Sequence, residues 1–157
     1  MASYGNTGIF NVLYPTRRKM ANILRRIVRN DISNPTGSTL VDSIRINARI
    51  VNMERLEIEI VAMYYFIFLN NGVPQTSNAY GPNSGQIGPR EWVDQFTSEM
   101  DSSGLTGEIY NQYFEWLTKT YPLTQWATVM KENQKIVYTF YALDPPAGFS
   151  PNTPLNV

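Results

Sequence analysis

Cysteine and histidine are both absent from this chain of 157 residues. The lack of cysteine excludes disulfides, thiolate nucleophiles and zinc sites built on cysteine. The lack of histidine excludes a Ser-His-Asp triad, a histidine general base and the common histidine metal sites. Enzymatic chemistry would have to run on carboxylates, Tyr or Lys alone. The composition therefore favours a non-enzymatic protein, and we expect no catalytic residues, no cofactor and no bound metal.

A net charge is absent too, because 13 Lys and Arg balance 13 Asp and Glu. The balance hides an asymmetry along the chain. Residues 1–50 carry eight basic residues against two acidic ones, whereas residues 51–157 carry five against eleven. Two interpretations stay open: the two charge sets neutralise each other within one fold, or they attract copies of the chain head to tail.

No hydrophobic run is long enough to span a membrane. The longest, residues 60–69, has ten residues, whereas a membrane-spanning helix needs about 20. Ala2 stands where myristoylation requires glycine, and no basic segment followed by an apolar core marks a secretory signal. We therefore expect a soluble protein that is made in a cytoplasm and has no membrane partner.

A basic amphipathic helix is predicted over residues 16–29, where an apolar stripe with helical spacing is surrounded by six basic residues. This helix is the best candidate in the sequence for contact with nucleic acid, although it lacks interleaved aromatic residues that would stack on bases. A solvated face or contact with an acidic protein partner are the alternatives, which we favour. The stripe consists of Met20, Ile23, Leu24, Ile27 and Val28.

Alternating apolar and charged residues predict a β-hairpin over residues 43–51 and 56–60, entered through residues 39–42. A one-residue slip would turn every Ile toward the wrong face, so paired residue numbers must add to an even value. A sum of 106 places Arg49 opposite Glu57, and a sum of 108 places it opposite Glu59. Either register predicts a cross-strand ion pair on the polar face.

The segment after the hairpin is ambiguous, because residues 63–72 fit either a continued strand or a short helix that ends at Gly72. Residues 73–90 then form a long central loop, and loops of this length are usually functional or disordered. Helices are predicted over residues 89–100 and 106–120.

Two further strands are predicted over residues 126–130 and 135–143, joined as a hairpin. Residues 144–157 contain four of the ten prolines, which predicts a tail that is extended or disordered until a partner binds it. Residues 1–143 are thus expected to form one α+β domain, with an antiparallel sheet of about four strands packed against two to three helices. The long central loop and the extended C-terminal tail complete the prediction.

Two groups of side chains are candidates for a site. Glu57 and Glu59 share one face of a strand, a spacing that glycosidases use in principle, but salt pairing with Arg45 and Arg49 is the interpretation we favour. Aromatic residues make up 13% of the chain, a surplus that fits contact surfaces between subunits. The candidate interface residues are Arg17, Arg18, Arg25, Arg26, Arg29, Arg45, Arg49, Glu57, Glu59, Tyr80 and Phe149.

One stretch of the chain resembles a known family. Residues 48–72 are similar to the central part of the tail-completion proteins of tailed bacteriophages, and the shared pattern extends over residues 15–100. After that region the chain departs from the family, since a second helix, a predicted hairpin and the Pro-rich tail follow. The pattern consists of the basic helix, the entry Leu40-Val-Asp-Ser-Ile44, the hairpin, an aromatic segment with Tyr64, Tyr65 and Leu69 that closes on Gly72, the long loop and a helix begun by Pro89.

The resemblance implies a structural protein of the virion, a subunit of the head–tail neck, or of the tail-completion or terminator region, that joins the capsid connector to the tail. It implies a homo-oligomeric ring around the DNA channel, commonly of six- or twelve-fold symmetry. Neck or portal-side proteins would bind one face and tail proteins the other, after assembly in the host cytoplasm. The family supplies no catalytic residues. The alternative is a nucleic-acid-binding accessory protein that acts through the helix at 16–29, with strongly salt-dependent affinity for DNA.

Overall fold

A computed structural model describes residues 14–32, 35–52, 55–72, 88–120 and 135–155. Within these ranges, five helices share a hydrophobic core with one face of a four-stranded sheet, which confirms the predicted α+β class. The helices are α1 (Tyr14–Asp31), α2 (Pro35–Ser43), α3 (Tyr65–Asn71), α4 (Trp92–Ser102) and α5 (Leu105–Thr120), and the strands are β1 (Arg45–Asn52), β2 (Arg55–Met63), β3 (Lys135–Leu143) and β4 (Asn152–Leu155).

The predicted hairpin is confirmed as the antiparallel pair β1 and β2. Ile46 lies opposite Ile60, and Arg49 lies opposite Glu57, so the register is the one with paired numbers adding to 106. Ile46 and Ala48 of β1 are buried in the core with the even-numbered residues of β2, among which Ile58 and Ile60 have no exposed surface. The alternation of apolar and charged residues therefore fixes this register, as expected from the cost of moving each Ile to the other face.

The prediction of a wholly antiparallel sheet is wrong, because β2 pairs with β3 in parallel. The strand order is β1-β2-β3-β4, and the other two neighbouring pairs are antiparallel. A parallel pair needs a long crossover connection, and here α3, α4 and α5 lie in the sequence between the two strands. Helices placed in this way cover the sheet and complete the core. The strand predicted over residues 126–130 lies outside the described residues.

Residues 35–43 form helix α2 rather than the predicted approach to a strand. Proline at the first helical position is favourable, because its missing N–H has no partner there and its φ angle is already helical. Leu40 and Val41 of α2 are both buried, so this short helix contributes to the core. The Ser43 hydroxyl then accepts a hydrogen bond of 3.1 Å from the N–H of Met63, which ties the end of α2 to the end of β2.

The ambiguous aromatic segment is helix α3, and it ends at Gly72, which has a φ of 79°. Glycine reaches this positive φ without steric penalty, so the helical alternative of the prediction is correct. The long loop that follows lies mostly outside the described residues, which resume at residue 88.

The C-terminal segment is extended, as predicted, but it does not stand apart from the sheet. Residues 152–155 pair with β3 as strand β4, and the N–H of Ala142 donates a hydrogen bond of 2.8 Å to the carbonyl of Pro151. Pro154 lies within β4, and proline is acceptable there because an edge strand needs donors on one side alone.

An aromatic group joins the crossover helices to the sheet. The ring of Phe66 on α3 is stacked on Phe140 of β3 at a centroid distance of 5.4 Å, and it lies 5.3 Å from Trp92 of α4. All three side chains are fully buried. Because the group includes a strand and two helices from the crossover, it fixes how the helices lie on the sheet.

We expect the Phe66→Ala substitution to lower the free energy of unfolding by about 3–5 kcal/mol, because it leaves a cavity between two rings. The matched control is Phe68→Ala on the same helix, where 39% of the side chain is exposed and the expected loss is much smaller. Urea unfolding followed by tryptophan fluorescence measures both. Equal losses for the two variants would contradict this account of the core.

Tyr138 of β3 gives the fold a pH dependence in alkaline solution. Burial, with a smaller contribution from the negative charge of Asp101, raises the pKa of Tyr138 from 10.0 to about 12. Because the folded-state pKa lies above the unfolded value, the unfolded chain releases this proton first as the pH rises. The stabilisation is therefore complete below about pH 10 and is lost between about pH 10 and 12.

We expect the wild-type protein to lose about 2 kcal/mol more stability between about pH 9 and about pH 11.5 than the Tyr138→Phe variant, which cannot ionise at this position. Unfolding by urea at about pH 9 and about pH 11.5 measures the difference, and the variant corrects for the other tyrosines. A parallel decline of the two proteins would show that Tyr138 is not responsible.

Candidate functional site

The basic residues of α1 point to two sides of the helix, and one side faces the edge strand β1. The Arg17 guanidinium donates a hydrogen bond of 3.0 Å from Nη1 to the carbonyl of Ile46. Arg25 donates two, of 3.1 and 2.6 Å, from Nε and Nη2 to the carbonyl of Ile44. An edge strand carries outward-facing backbone groups with no partner strand, and these two arginines supply donors for them. Arg17 is only 8% exposed as a result.

A cleft of about 380 Å³ lies between α1 and the edge of β1. We call it the arginine cleft. Among the described residues that line it, four are arginines and none is acidic. Its lining consists of Arg17, Arg18, Ala21, Asn22, Arg25, Arg45, Ile46 and Asn47.

The cleft is electropositive for a simple reason. Hydrogen bonds to the carbonyls of Ile46 and Ile44 hold Arg17 and Arg25 in place, and none of the described residues that line the cleft is acidic. Arg18 and Arg45 are exposed beside them, and no carboxylate of the described residues lies within salt-bridge distance of either. Two ordered guanidiniums with two accessible ones form a site that suits carboxylate or phosphate oxygens, which arginine binds in a bidentate manner.

The opposite side of α1 is neutralised within the chain. Lys19 lies 3.6 Å from Glu108 of α5, and Arg26 forms a salt bridge with Glu99 of α4. At the end of α1, Asp31 accepts a hydrogen bond of 2.9 Å from the indole N–H of Trp92 and lies 3.4 Å from Arg90. The basic first third and the acidic remainder of the chain thus cancel in part within one fold, and the arginine cleft lies on the other side of α1.

The two strand carboxylates are held as polar groups of the outer sheet face. Glu57 is 7% exposed and accepts a hydrogen bond of 3.2 Å from the hydroxyl of Thr139. Glu59 accepts one of 3.4 Å from the amide of Asn47. Arg49 stands opposite Glu57 in the register, and only its backbone is described. These hydrogen bonds come from neutral side chains, Thr139 and Asn47, and the predicted salt pairing with Arg45 is not among the described ion pairs.

A second surface is aromatic. Phe149 packs edge-on against Phe68 at 5.6 Å and against Tyr64 at 5.9 Å, and Tyr64 packs against Tyr65 at 5.4 Å. We call these four residues the aromatic patch. Phe68 remains 39% exposed although it is large and apolar. Exposed aromatic side chains that are already fixed by their neighbours suit protein contact, since little conformational freedom is lost on binding.

The structure brings four of the eleven predicted site residues together in the arginine cleft: Arg17, Arg18, Arg25 and Arg45. Arg26 is engaged with Glu99 on the other side of α1, and Arg29 is exposed in the last turn. Phe149 belongs to the aromatic patch, whereas Tyr80 lies outside the described residues.

Sequence reasoning missed the division of the helix into two basic sides. The available signal is the seven-residue spacing of Arg18 and Arg25, with Asn22 between them, which places the three on one side of a helix. Lys19 and Arg26 repeat the same spacing one residue later. The contribution of Asn47 from β1 had no such signal, because it depends on where the strand docks against α1.

No protein family, no curated protein and no solved structure matches this chain. Within the part of the chain that the structure describes, no helix is both long enough and apolar enough to cross a membrane.

The arginine cleft predicts a characteristic response to mutation and salt. Since like charges repel within the cleft, we expect Arg18→Gln to raise the stability of the free protein by a few tenths of a kcal/mol at low ionic strength. The gain should vanish at high salt, because ions screen the repulsion. Arg29→Gln is the control, and it should slightly destabilise the protein, because a cation in the last turn of a helix is favourable. Thermal unfolding at two salt concentrations tests both, and a loss of stability with Arg18→Gln would contradict the prediction.

Proposed function

We propose that this protein is a non-enzymatic structural subunit of a tailed-phage virion. In this proposal it acts in the head–tail neck, or in the tail-completion or terminator region, and joins the capsid connector to the tail. The observation that carries the proposal is the position of the segment on which the resemblance rests. Residues 40–72 contribute the end of α2, the hairpin β1–β2 and α3, which supply the edge strand β1, the inner strand β2 and part of the hydrophobic core.

The surface of the protomer supports this proposal. The arginine cleft lies along the edge of β1, whereas the aromatic patch lies beyond the ends of β2 and β3, where α3 and residues 144–150 meet. One surface suits acidic groups, and the other suits apolar contact. A connecting subunit needs such a difference, because each neighbour must recognise its own face. The proposed partners are further copies of this chain in a ring, a neck or portal-side protein, and a tail protein.

A nucleic-acid-binding role through α1 is the second candidate, and the arginine cleft is the observation that favours it. The described contacts reduce the basic surface available to a polyanion, however. Lys19 and Arg26 are paired with carboxylates, and Arg17 and Arg25 are bound to β1 carbonyls. Arg18 and Arg29 are then the exposed cations of the helix without a described partner. A phosphate backbone is usually bound through more contacts than this, so we place this role second.

Removal of the gene from the phage that encodes this chain tests the proposal. We expect DNA-filled heads and finished tails to accumulate unjoined, as seen by electron microscopy of the lysate. Supplying the protein from a plasmid should restore complete particles. Normal yields of complete particles without the gene would overturn the proposal.

A further inference from the structure

A second cleft of opposite charge lies at the other edge of the sheet. It measures about 450 Å³ and is formed where the end of α3, the start of α4 and β4 meet. We call it the acidic cleft. Among the described residues that line it, Glu91 and Asp94 are charged and none is basic. The lining consists of Asn70, Asn71, Pro89, Glu91, Val93, Asp94, Pro154 and Leu155.

The walls of the acidic cleft are held by hydrogen bonds within the chain. The buried Asn70 accepts a bond of 2.8 Å at Oδ1 from the N–H of Val93, and its own carbonyl accepts one of 3.1 Å from the N–H of Glu91. These bonds hold Glu91 at a φ of 55°, which is uncommon for a residue with a side chain. Glu91 and Asp94 are both exposed. The two carboxylates are therefore exposed to solvent on a backbone that these hydrogen bonds hold in place.

The two clefts lie on opposite edges of one sheet. The arginine cleft follows β1 and the acidic cleft follows β4, and the strand order is β1-β2-β3-β4. At a strand spacing of about 4.8 Å the two edge strands are roughly 14 Å apart, and the clefts lie beyond them. A molecule with complementary surfaces on opposite edges forms heterologous contacts, which repeat from copy to copy and close into a ring when the rotation permits.

We propose that the arginine cleft of one copy binds the acidic cleft of the next copy, with Arg18 and Arg45 of the first facing Glu91 and Asp94 of the second. This inference rests on the proposed function and names the contact that would build its ring. Two accessible guanidiniums then meet two accessible carboxylates, and arginine–carboxylate pairs are among the stronger charged hydrogen bonds. Arg25, which the Ile44 carbonyl holds in the same cleft, adds a third positive charge beside the contact.

Charge complementarity favours a second copy over a nucleic acid as the occupant. The chain has no net charge, so copies joined in this way do not accumulate repulsion as the assembly grows. A polyanion bound at the arginine cleft would leave the acidic cleft unpaired and would repel it, because both are negatively charged. A second copy satisfies both clefts with one contact.

Charge-reversed variants test the proposal by light scattering at low salt. The variant R18E/R45E places carboxylates where the two accessible guanidiniums stood, and E91R/D94R has two basic edges. We expect each alone to weaken self-association by about tenfold or more relative to the wild type. A 1:1 mixture should recover assembly with the two variants alternating, because each edge of one variant then meets an edge of opposite charge on the other. The quadruple variant should recover assembly, since both charges are exchanged. Far-ultraviolet circular dichroism checks that each variant is folded.

The control is R29E/D42K, which reverses two exposed charges outside both clefts and should assemble as the wild type does. A wild type that stays monomeric at low salt and high concentration would overturn the proposal. So would single-edge variants that assemble normally, or a folded quadruple variant that does not assemble.

If R18E/R45E loses only affinity for duplex DNA, the cleft is a nucleic-acid site instead. The gene-removal experiment is independent of these outcomes, so the cleft contact can fail while the role in joining head and tail stands.

Discussion

The parallel pairing of β2 with β3 is the constraint from which the rest of the architecture follows. Two parallel neighbours cannot be joined by a tight turn, so the chain must leave the sheet and return to its starting end. The helices α3, α4 and α5 lie in that connection and bring their apolar residues to one face of the sheet. The stacked rings of Phe66 and Phe140 mark where the connection is anchored, because one belongs to the first crossover helix and the other to the strand that follows.

The crossover also determines where α1 lies and which groups its side chains contact. With α4 in place over the core, α1 lies between α4 and the edge strand β1 and contacts both. Its apolar stripe is buried, with Met20, Leu24 and Val28 fully inaccessible to solvent. The basic residues beside the stripe therefore face acidic helices on one side and backbone carbonyls on the other. Carboxylates pair with Lys19 and Arg26 on the first side, whereas backbone carbonyls orient Arg17 and Arg25 on the second side, where the arginine cleft lies.

The sequence alone predicted those elements that are determined by residues close to one another along the chain. The register of β1 and β2 followed from the alternation of Ile with Arg and Glu, because a slip exposes an apolar face. The direction of β3 could not be predicted, since a strand with alternating apolar and polar residues has the same sequence pattern in parallel and antiparallel pairs. Helix α2 was not predicted, although proline at position 35 can begin a helix. Strand β4 was not predicted, because the four prolines of residues 144–157 indicate an extended tail.

The candidate site could be predicted even less completely from the sequence. The sequence identifies the arginines of α1, and their seven-residue spacing even indicates which share a side of the helix. Which side is neutralised depends on the positions of Glu99 and Glu108, more than seventy residues away and on helices that the crossover places. The acidic cleft depends in turn on β4 reaching the start of α4. A charge asymmetry read along the chain thus becomes, in the fold, an asymmetry between two edges of one sheet. In the proposed head-to-tail contact, this arrangement would give specificity, because the opposite charges lie in two separate clefts of defined shape.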